Sequence, residues 1–587
     1  MAGSANTTVE HDVDICVVGG GMAGLAAAVA AARHGASVVL MHDRPVPGGN
    51  ASGECRIPVC GADVQGRNPH LRETGILEEI RLDNLRRNPH RSFPVWDAIL
   101  YEKARFQPNL TLLLNCSCCG ADVRDSRILS VAGWQTTTYT RHVVRARIFA
   151  DCSGDGILAP LTGALHRIGR EARTEYGESI APEAADPYTM GLTCLFQARE
   201  YSSPQPFTPP SWAQRFERCD ELPYGAGCHA DWWQMGYWWI ELGGDRDSIH
   251  ETEELRDELL SISMGVWDHL KNRCAYRDRT VNWALDWLQF LPAKRESRRY
   301  IGDHVLAQGD IEAGGPFPDA VAYGGWPMDA HHPSGFNAAR FGIPAVMYHP
   351  TPSPYGIPYG SLYSRNVDNL MFAGRAASCT HVAMSSTRVM GTGCSMGQAV
   401  GTAAAIAVRL GLTPREAGAQ IDLLQQTLLR DDAYIPGVRM RMSETCAYAI
   451  ISSSQGDPRP VRDGVNRQVG DNRHCWMAAP GDHVLYRLHK TMYVEQAMLV
   501  LDSALDQNIQ MNYHQADQQL SSVPSVMARA FRIDGHVNGG WVPLHEVRDN
   551  HQRLLSLPIR RDVEAVRFTL DKTWGAPRSA IYCFDVG

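Results

Sequence analysis

The sequence predicts an α/β protein: a dinucleotide-binding domain, an inserted mixed α+β domain and a C-terminal all-β sandwich. Three observations predict it. Residues 14–50 read as strand, glycine turn, helix, strand. Gly/Ala-rich segments return at 369–411, after a middle rich in Trp, Tyr, Pro and Gly. Beyond about Pro436, short β runs recur between turn residues.

The opening unit carries the most information. Residues 15–18 form an apolar β run. Gly19-Gly20-Gly21-Met22-Ala23-Gly24 then supplies a G-x-G-x-x-G turn, followed by an alanine-rich helix to about His34 and a second β run at 37–41. Gly19 permits the tight turn, Gly21 admits a pyrophosphate, and Gly24 lets helix and strand approach. The helix N-terminus offers N–H groups and a positive dipole end to phosphates. A second glycine loop, Gly48-Gly49-Asn50-Ala51, should turn beside the cofactor.

The chain continues with helical spacing over 70–106, a strand at 110–114, and strands at 128–134 and 142–151 that return to the nucleotide sheet. These readings place the nucleotide-binding domain at 12–184 and 366–435, the substrate domain at 185–365 and the sandwich at 440–587. The tail's β runs fall at 483–488, 493–501, 526–533, 541–547, 552–557, 563–570 and 579–584.

Composition bounds the function. The chain has 587 residues, 44% of them apolar and 20% charged, with a net charge of -8. This is ordinary globular composition, and it argues against a nucleic-acid partner. The 16 cysteines are scattered and show no zinc-ligand spacing, so no metal site is expected. Cys116, Cys118 and Cys119 read as small buried hydrophobes in a strand. Thiols kept this way suggest a reducing compartment. The first residues are polar, without the apolar core of a signal peptide. The uncharged run 15–32 belongs to the nucleotide fold rather than to a membrane. A cytoplasmic protein with no membrane partner is expected, and a homo-oligomer stays open.

Three separated blocks resemble the FAD-dependent oxidoreductase superfamily with the glutathione-reductase-type nucleotide fold: the 19–50 unit, Asp151-Cys152-Ser153-Gly154-Asp155, and 369–375 with 391–398. RPVPGGNAS, KRESRRYIGDHVL, DAVAYGGWPMD and IPYGSLYSRNVDNLMFAGR narrow the resemblance to a bacterial FAD-dependent oxidoreductase family that often carries a C-terminal galactose-binding-like sandwich. The resemblance implies a Rossmann-like domain holding FAD through Gly19, Gly21, Met22, Ala23, Gly24, Gly49, Asn50, Ala51, Ser153, Gly154, Asp155, Gly374, Gly393, Met396, Gly397 and Gln398. The chain departs from the pattern in two places. His42, beside Asp43 and Arg44, stands where a Glu usually takes the ribose hydroxyls, so Asp43 substitutes or His42 gives one hydrogen bond. Arg375 stands where an acidic residue usually follows Ala-Gly. The helix expected to open near Gly393 would aim N–H groups at the flavin; helix packing through small residues is the alternative.

The implied activity is oxidation of a C–H beside a hydroxyl or amine of a small molecule, sugar or polyol favoured, by hydride transfer to flavin N5. Oxygen or another external acceptor would reoxidise the flavin. A histidine near neutrality suits the proton transfer. The candidates are His332, His381 and His331, with Arg388 to hold an oxygen of substrate or flavin; a surface salt bridge is its alternative. Cys55 and Cys60 resemble a redox-active pair but lie too far past the Gly-Gly doublet. The Trp232-Trp233-Gln234-Met235-Gly236-Tyr237-Trp238-Trp239 cluster reads as core before pocket wall. Residues 294–299, KRESRR, read as a solvated or salt-bridged face. The alternatives are a flavin monooxygenase reduced by a partner, or a carbohydrate-binding protein on an idle flavin fold.

Overall fold

The computed structural model describes residues 7–223, 237–511 and 518–587. Its first strand, β1 (Thr7–Val18), lies inside a parallel sheet. β1 pairs with β2 (Val38–Met41) on one side and with β6 (Thr140–Asp151) on the other, so that Ile15 faces Val38 and Ile148. β2 pairs in parallel with β3 (Leu110–Leu113), and the strand Leu370–Phe372 pairs in parallel with the end of β6. The late segment therefore returns to complete the first sheet. β4 (Cys116–Arg124), β5 (Arg127–Gln135) and β6 form the antiparallel meander that leads into it.

β1 begins well before the apolar run that announces it. Its first residues pair with β6 from Thr7 onward but stay mostly exposed. They are held by the backbone ladder and not by burial, so they carry no alternating pattern. Within β4 the pleat separates the cysteines: Cys116 is buried, Cys118 half-buried and Cys119 exposed. Cys119 is thus not the buried hydrophobe expected.

Helix α1 (Met22–Arg33) is buried from Met22 to Ala32, which explains its lack of a polar face. The helix Met390–Leu410 crosses it at backbone contact. A Cβ on Gly397 would stand 2.0 Å from Ala23 O, and one on Gly401 2.0 Å from Ala27 O. The small residues of both helices make this approach possible.

The middle of the chain supplies the helix Thr252–Asp268 and short antiparallel pairs, among them Met328–His331 with Val346–His349 and Ala320–Gly324 with Tyr355–Pro358. Residues 232–236 of the aromatic cluster lie outside the described residues. Tyr237 and Trp239 are core: Tyr237 stacks on Phe196 at 4.6 Å and Trp239 on Phe336 at 6.1 Å between centroids.

The C-terminal domain is an all-β sandwich of antiparallel strands around its own apolar core. The runs at 483–488 and 493–501 are halves of one strand, His483–Leu501, with a register irregularity between Arg487 and Met492. The runs at 552–557 and 563–570 likewise belong to one strand, Leu554–Thr573. Turn-like residues inside a bent strand imitate strand ends. Buried arginines fix this domain to the rest. Arg553 pairs with Asp432 at 2.7 Å, Arg467 donates to Thr74 Oγ1 at 2.8 Å, and Arg72 donates to the Ser503 carbonyl at 3.0 Å.

Candidate cofactor and substrate site

The glycine turn between β1 and α1 is built from three different constraints. Gly19 has φ +97°, and a Cβ there would meet the Ser153 backbone at 2.4 Å. A Cβ on Gly24 would lie 1.8 Å from Gly19 O. A Cβ on Gly21 would meet nothing within 4 Å, so the start of α1 faces open space. The second glycine loop closes over the first: Gly48 N–H donates to Gly20 O at 2.7 Å, and Gly49 comes within 3.0 Å of Gly21 by the same measure. Asn50 donates to Lys294 O at 3.1 Å, and Ala51 O accepts from Trp96 Nε1 at 2.9 Å.

His42 does not hold a ribose. Gly20 N–H donates to its Nδ1 at 2.9 Å, which leaves Nε2 to donate to Val46 O at 3.0 Å. Both ring nitrogens are spent on backbone. Burial pushes the ring down to about 4, against an opposing pull from Asp43 and with Arg44 adding to the drop, so it is neutral at pH 7. Asp43 is exposed, and Arg44 keeps a buried Nη1 without a partner.

The third block is a charged knot. Ser153 is turned onto Asp151, its hydroxyl donating at 2.6 Å. Lys294 contacts Asp155 Oδ2 at 2.7 Å, and Arg375 contacts Asp155 Oδ1 at 3.3 Å while donating to Gly154 O at 2.9 Å. Burial alone would raise the Asp155 carboxyl, but Lys294 and Arg375 hold it below its ordinary value. Arg375 therefore replaces the expected acidic residue by locking the Gly154–Asp155 turn.

The late helix opens at Met390, earlier than expected. Gly393 backs onto Gly374, where a Cβ would stand 3.4 Å from the Gly374 Cα. Met396 lies in the core, Gly397 packs on Ala23, and Gln398 Oε1 accepts from Ile76 N–H at 3.0 Å. All three make packing contacts within the protein. Thr392 Oγ1, in the first turn, is buried without a partner. The open space at Gly21, the exposed Asp43, and the unspent donors of Arg44 and Thr392 form a set that fits FAD.

Two buried ionic clusters stand at the substrate end. In the first, His331 Nδ1 lies 2.6 Å from Glu241 Oε2 and Nε2 lies 3.4 Å from Asp329 Oδ1. Arg295 reaches Glu241 at 3.3 Å, and Arg388 reaches Asp329 at 3.2 Å. Burial would raise the Asp329 carboxyl, yet His331 and Arg388 bring it down to about 2. Arg388 is thus a buried member of the site, with its Nε left unpartnered. In the second cluster, His381 opens the helix His381–Thr387, and its Nδ1 lies 2.9 and 3.0 Å from the two Glu296 oxygens. Arg299 ties Glu296 at 3.3 Å to Glu171 at 2.8 Å. His332, the next residue after His331, belongs to neither. It is half-buried, its Nδ1 accepts from Ser334 N–H at 3.2 Å, and burial and Arg170 lower its basicity.

The KRESRR run is not a solvated face. Glu296 and Arg299 are fully buried, Lys294 reaches Asp155, and Arg295 reaches Glu241. Their partners Glu171 and Glu241 carry no sequence signal because the contacts span long stretches of chain. Cys55 and Cys60 do not form a reactive pair: burial pushes both thiols up to about 12, and Cys55 Sγ points to Leu291 O while Cys60 Sγ accepts from Gln65. Cys219, His269 and Cys274, which no sequence spacing singles out, bring their ligand atoms within 4.8 Å of one another.

No helix among the described residues is long and apolar enough to cross a membrane. No curated protein matches the chain. Among solved structures it is similar to the family 32 carbohydrate-binding module of Streptococcus pneumoniae EndoD, with 15% identity over 25% of this chain and 99% of that one, TM-score 0.20. It is also similar to the family 32 module of C. perfringens NanJ solved in complex with galactose, with 12% identity over 25% of this chain and 97% of that one, TM-score 0.18. Chitosan-binding module 1 of a Paenibacillus sp. IK-5 chitosanase/glucanase matches at 14% identity over 24% of this chain and 94% of that one, TM-score 0.17. A model of the FAD dependent oxidoreductase family matches residues 14–428. The chain belongs to that family, and its cofactor is FAD.

Proposed function

We propose that the protein oxidises a small molecule at a carbon bearing a hydroxyl or an amine, with His381 as the proton acceptor. Residues 12–184 and 366–435 act as a Rossmann-like FAD-binding domain, and the inserted residues 185–365 provide the substrate side. FAD, when bound, supplies a two-electron acceptor for the substrate hydride.

One observation carries the choice of base. His381 Nδ1 faces the Glu296 carboxylate at 2.9 Å, which makes it the N–H side of the ring and leaves the lone pair on Nε2. Nε2 has no hydrogen-bond partner among the described residues. Such a ring is oriented to take a proton and to spread the resulting charge to Glu296. His331 has carboxylates at both nitrogens and offers no free lone pair. Arg388, beside Asp329, presents its guanidinium to a substrate oxygen. Oxygen or another external acceptor then removes the electrons. Sugars, polyols and amines are the substrate classes that carry the required C–H.

The test is His381→Asn. It retains FAD and loses about 10²–10⁴ in kcat/KM, the usual weight of a general base. Glu296→Gln shifts the pH profile of kcat/KM. Activity of H381N within a few fold of the wild type would assign the base elsewhere.

A further inference from the structure

The helix Thr252–Asp268 passes into a wider turn, His269–Arg273, and ends at Cys274. The loop before it carries Phe216 and Cys219. It is fastened to the helix by Gln214 N–H donating to Ser261 O at 3.0 Å, and to Arg340, whose Nε donates to Glu221 O at 3.0 Å. Where loop and turn meet, Cys219 Sγ lies 3.4 Å from His269 Nε2 and 3.7 Å from Cys274 Sγ. All three ligand atoms fall within 4.8 Å of one another.

We propose that Cys219, His269 and Cys274 bind a zinc ion that staples this loop to the end of the helix. The distances carry the argument. Zn–S bonds of about 2.3 Å and Zn–N bonds of about 2.0–2.1 Å at tetrahedral angles place two sulfurs about 3.8 Å apart and sulfur and nitrogen about 3.6 Å apart. The two separations from Cys219, 3.4 and 3.7 Å, lie close to those edges, the third is within 4.8 Å, and 3.7 Å between the sulfurs is far longer than a disulfide bond of about 2.05 Å.

The surroundings are those of a ligand set. His269 Nδ1 lies 3.0 Å from Phe216 O, so Nδ1–H donates to that carbonyl and Nε2 keeps its lone pair toward Cys219. Tyr276 N–H donates to Cys274 Sγ at 3.4 Å, a bond that stabilises a thiolate. His269 and Cys274 are fully buried, and wide turns of this kind concentrate at functional sites. Two thiolates and an imidazole select zinc over magnesium or calcium. Binding converts two thiols to thiolates and releases two protons; the neutral imidazole contributes its lone pair, and the fourth coordination position takes water or another donor.

The experiment uses the full-length, FAD-loaded protein purified under reducing conditions. Elemental analysis should find about one zinc per chain. Replacement by Co²⁺ should give the intense sulfur-to-cobalt absorption of a tetrahedral thiolate site. Cys219→Ser and Cys274→Ser should each lower bound zinc about tenfold or more, while Cys475→Ser, at a cysteine elsewhere, should leave it unchanged. Less than about a tenth of an equivalent after incubation with zinc, or a cobalt spectrum without thiolate bands, would overturn the site in the wild-type protein itself, whatever the variants do. A Cys219–Cys274 disulfide in the reduced, zinc-supplied protein would overturn it as well.

Discussion

Gly20 N–H donates to His42 Nδ1 at 2.9 Å, so the residue that closes the second strand supports the phosphate turn from behind. A Cβ on Gly20 would stand 2.7 Å from the same ring. In the superfamily this position ordinarily serves the ribose. Here the ring is fully engaged with the backbone, and the neighbouring Asp43 carboxylate is exposed.

The two roles separate by mutation. His42→Ala leaves a buried N–H unpaired and should cost about 1–3 kcal/mol of stability, seen as a lower Tm of the FAD-free protein. Asp43→Ala, at an exposed side chain, should leave that Tm unchanged and weaken FAD binding about tenfold, as measured by fluorescence titration. Equal effects of the two changes on Tm would contradict this division.

His42 also sets a pH window. Its folded-state value, about 4, lies below the ordinary 6.5. Below 6.5 the unfolded chain takes up a proton that the folded ring refuses. Stability is therefore full above about pH 6.5 and falls as the pH drops toward 4, by up to about 3 kcal/mol. The difference in Tm between wild type and His42→Gln should narrow over this range. A difference independent of pH from 7 to about 4.5 would contradict a buried neutral ring.

Gly21 and Gly24 make opposite demands. Gly21 has φ −64°, ordinary for any residue, and open space at its Cβ. Gly21→Ala should fold normally, within about 0.5 kcal/mol, but obstruct the cofactor phosphates and raise the FAD Kd tenfold or more. Gly24→Ala, 1.8 Å from Gly19 O, should destabilise the domain by several kcal/mol whether or not FAD is present. Chemical denaturation with and without FAD distinguishes them.

Arg553 and Asp432 are both buried and join the sandwich to the first domain. Arg553→Ala strands a buried carboxylate and should cost about 3–5 kcal/mol. Arg553→Met with Asp432→Leu should recover much of that loss, because the desolvation cost leaves with both charges. Urea unfolding of the three proteins measures it. A double variant as unstable as Arg553→Ala would show that the pair contributes more than mutual neutralisation.

The backbone-built parts of the site were legible in the sequence. Gly19 and Gly24 mark their positions because a Cβ there would meet backbone, Gly21 leaves the start of α1 open, and the apolar runs mark the strands. The parts built from side chains meeting across the fold were not. Glu296 reads as one charge in a charged run until folding brings it to His381, and Cys219 is distant in sequence from His269 and Cys274. Gln398 and Gly397 show the reverse ambiguity: small and polar residues near a helix start signal a cofactor contact or close helix packing equally well. The exposed first half of β1 left no apolar pattern, since it is held to β6 by the backbone ladder and by surface pairs such as Glu10–Arg145 and His11–His142 rather than by burial.

The central claim is that FAD in this fold accepts hydride from a substrate whose proton goes to His381. Anaerobic reduction of the flavin, followed near 450 nm (an approximate band for any flavin), tests it directly with a panel of sugars, polyols and amines. At least one class should bleach the wild type, and His381→Gln, with its flavin spectrum intact, should bleach about 10²–10⁴ times more slowly. A wild-type flavin that no member of the panel bleaches, or a His381→Gln protein that bleaches at the wild-type rate, would contradict the account.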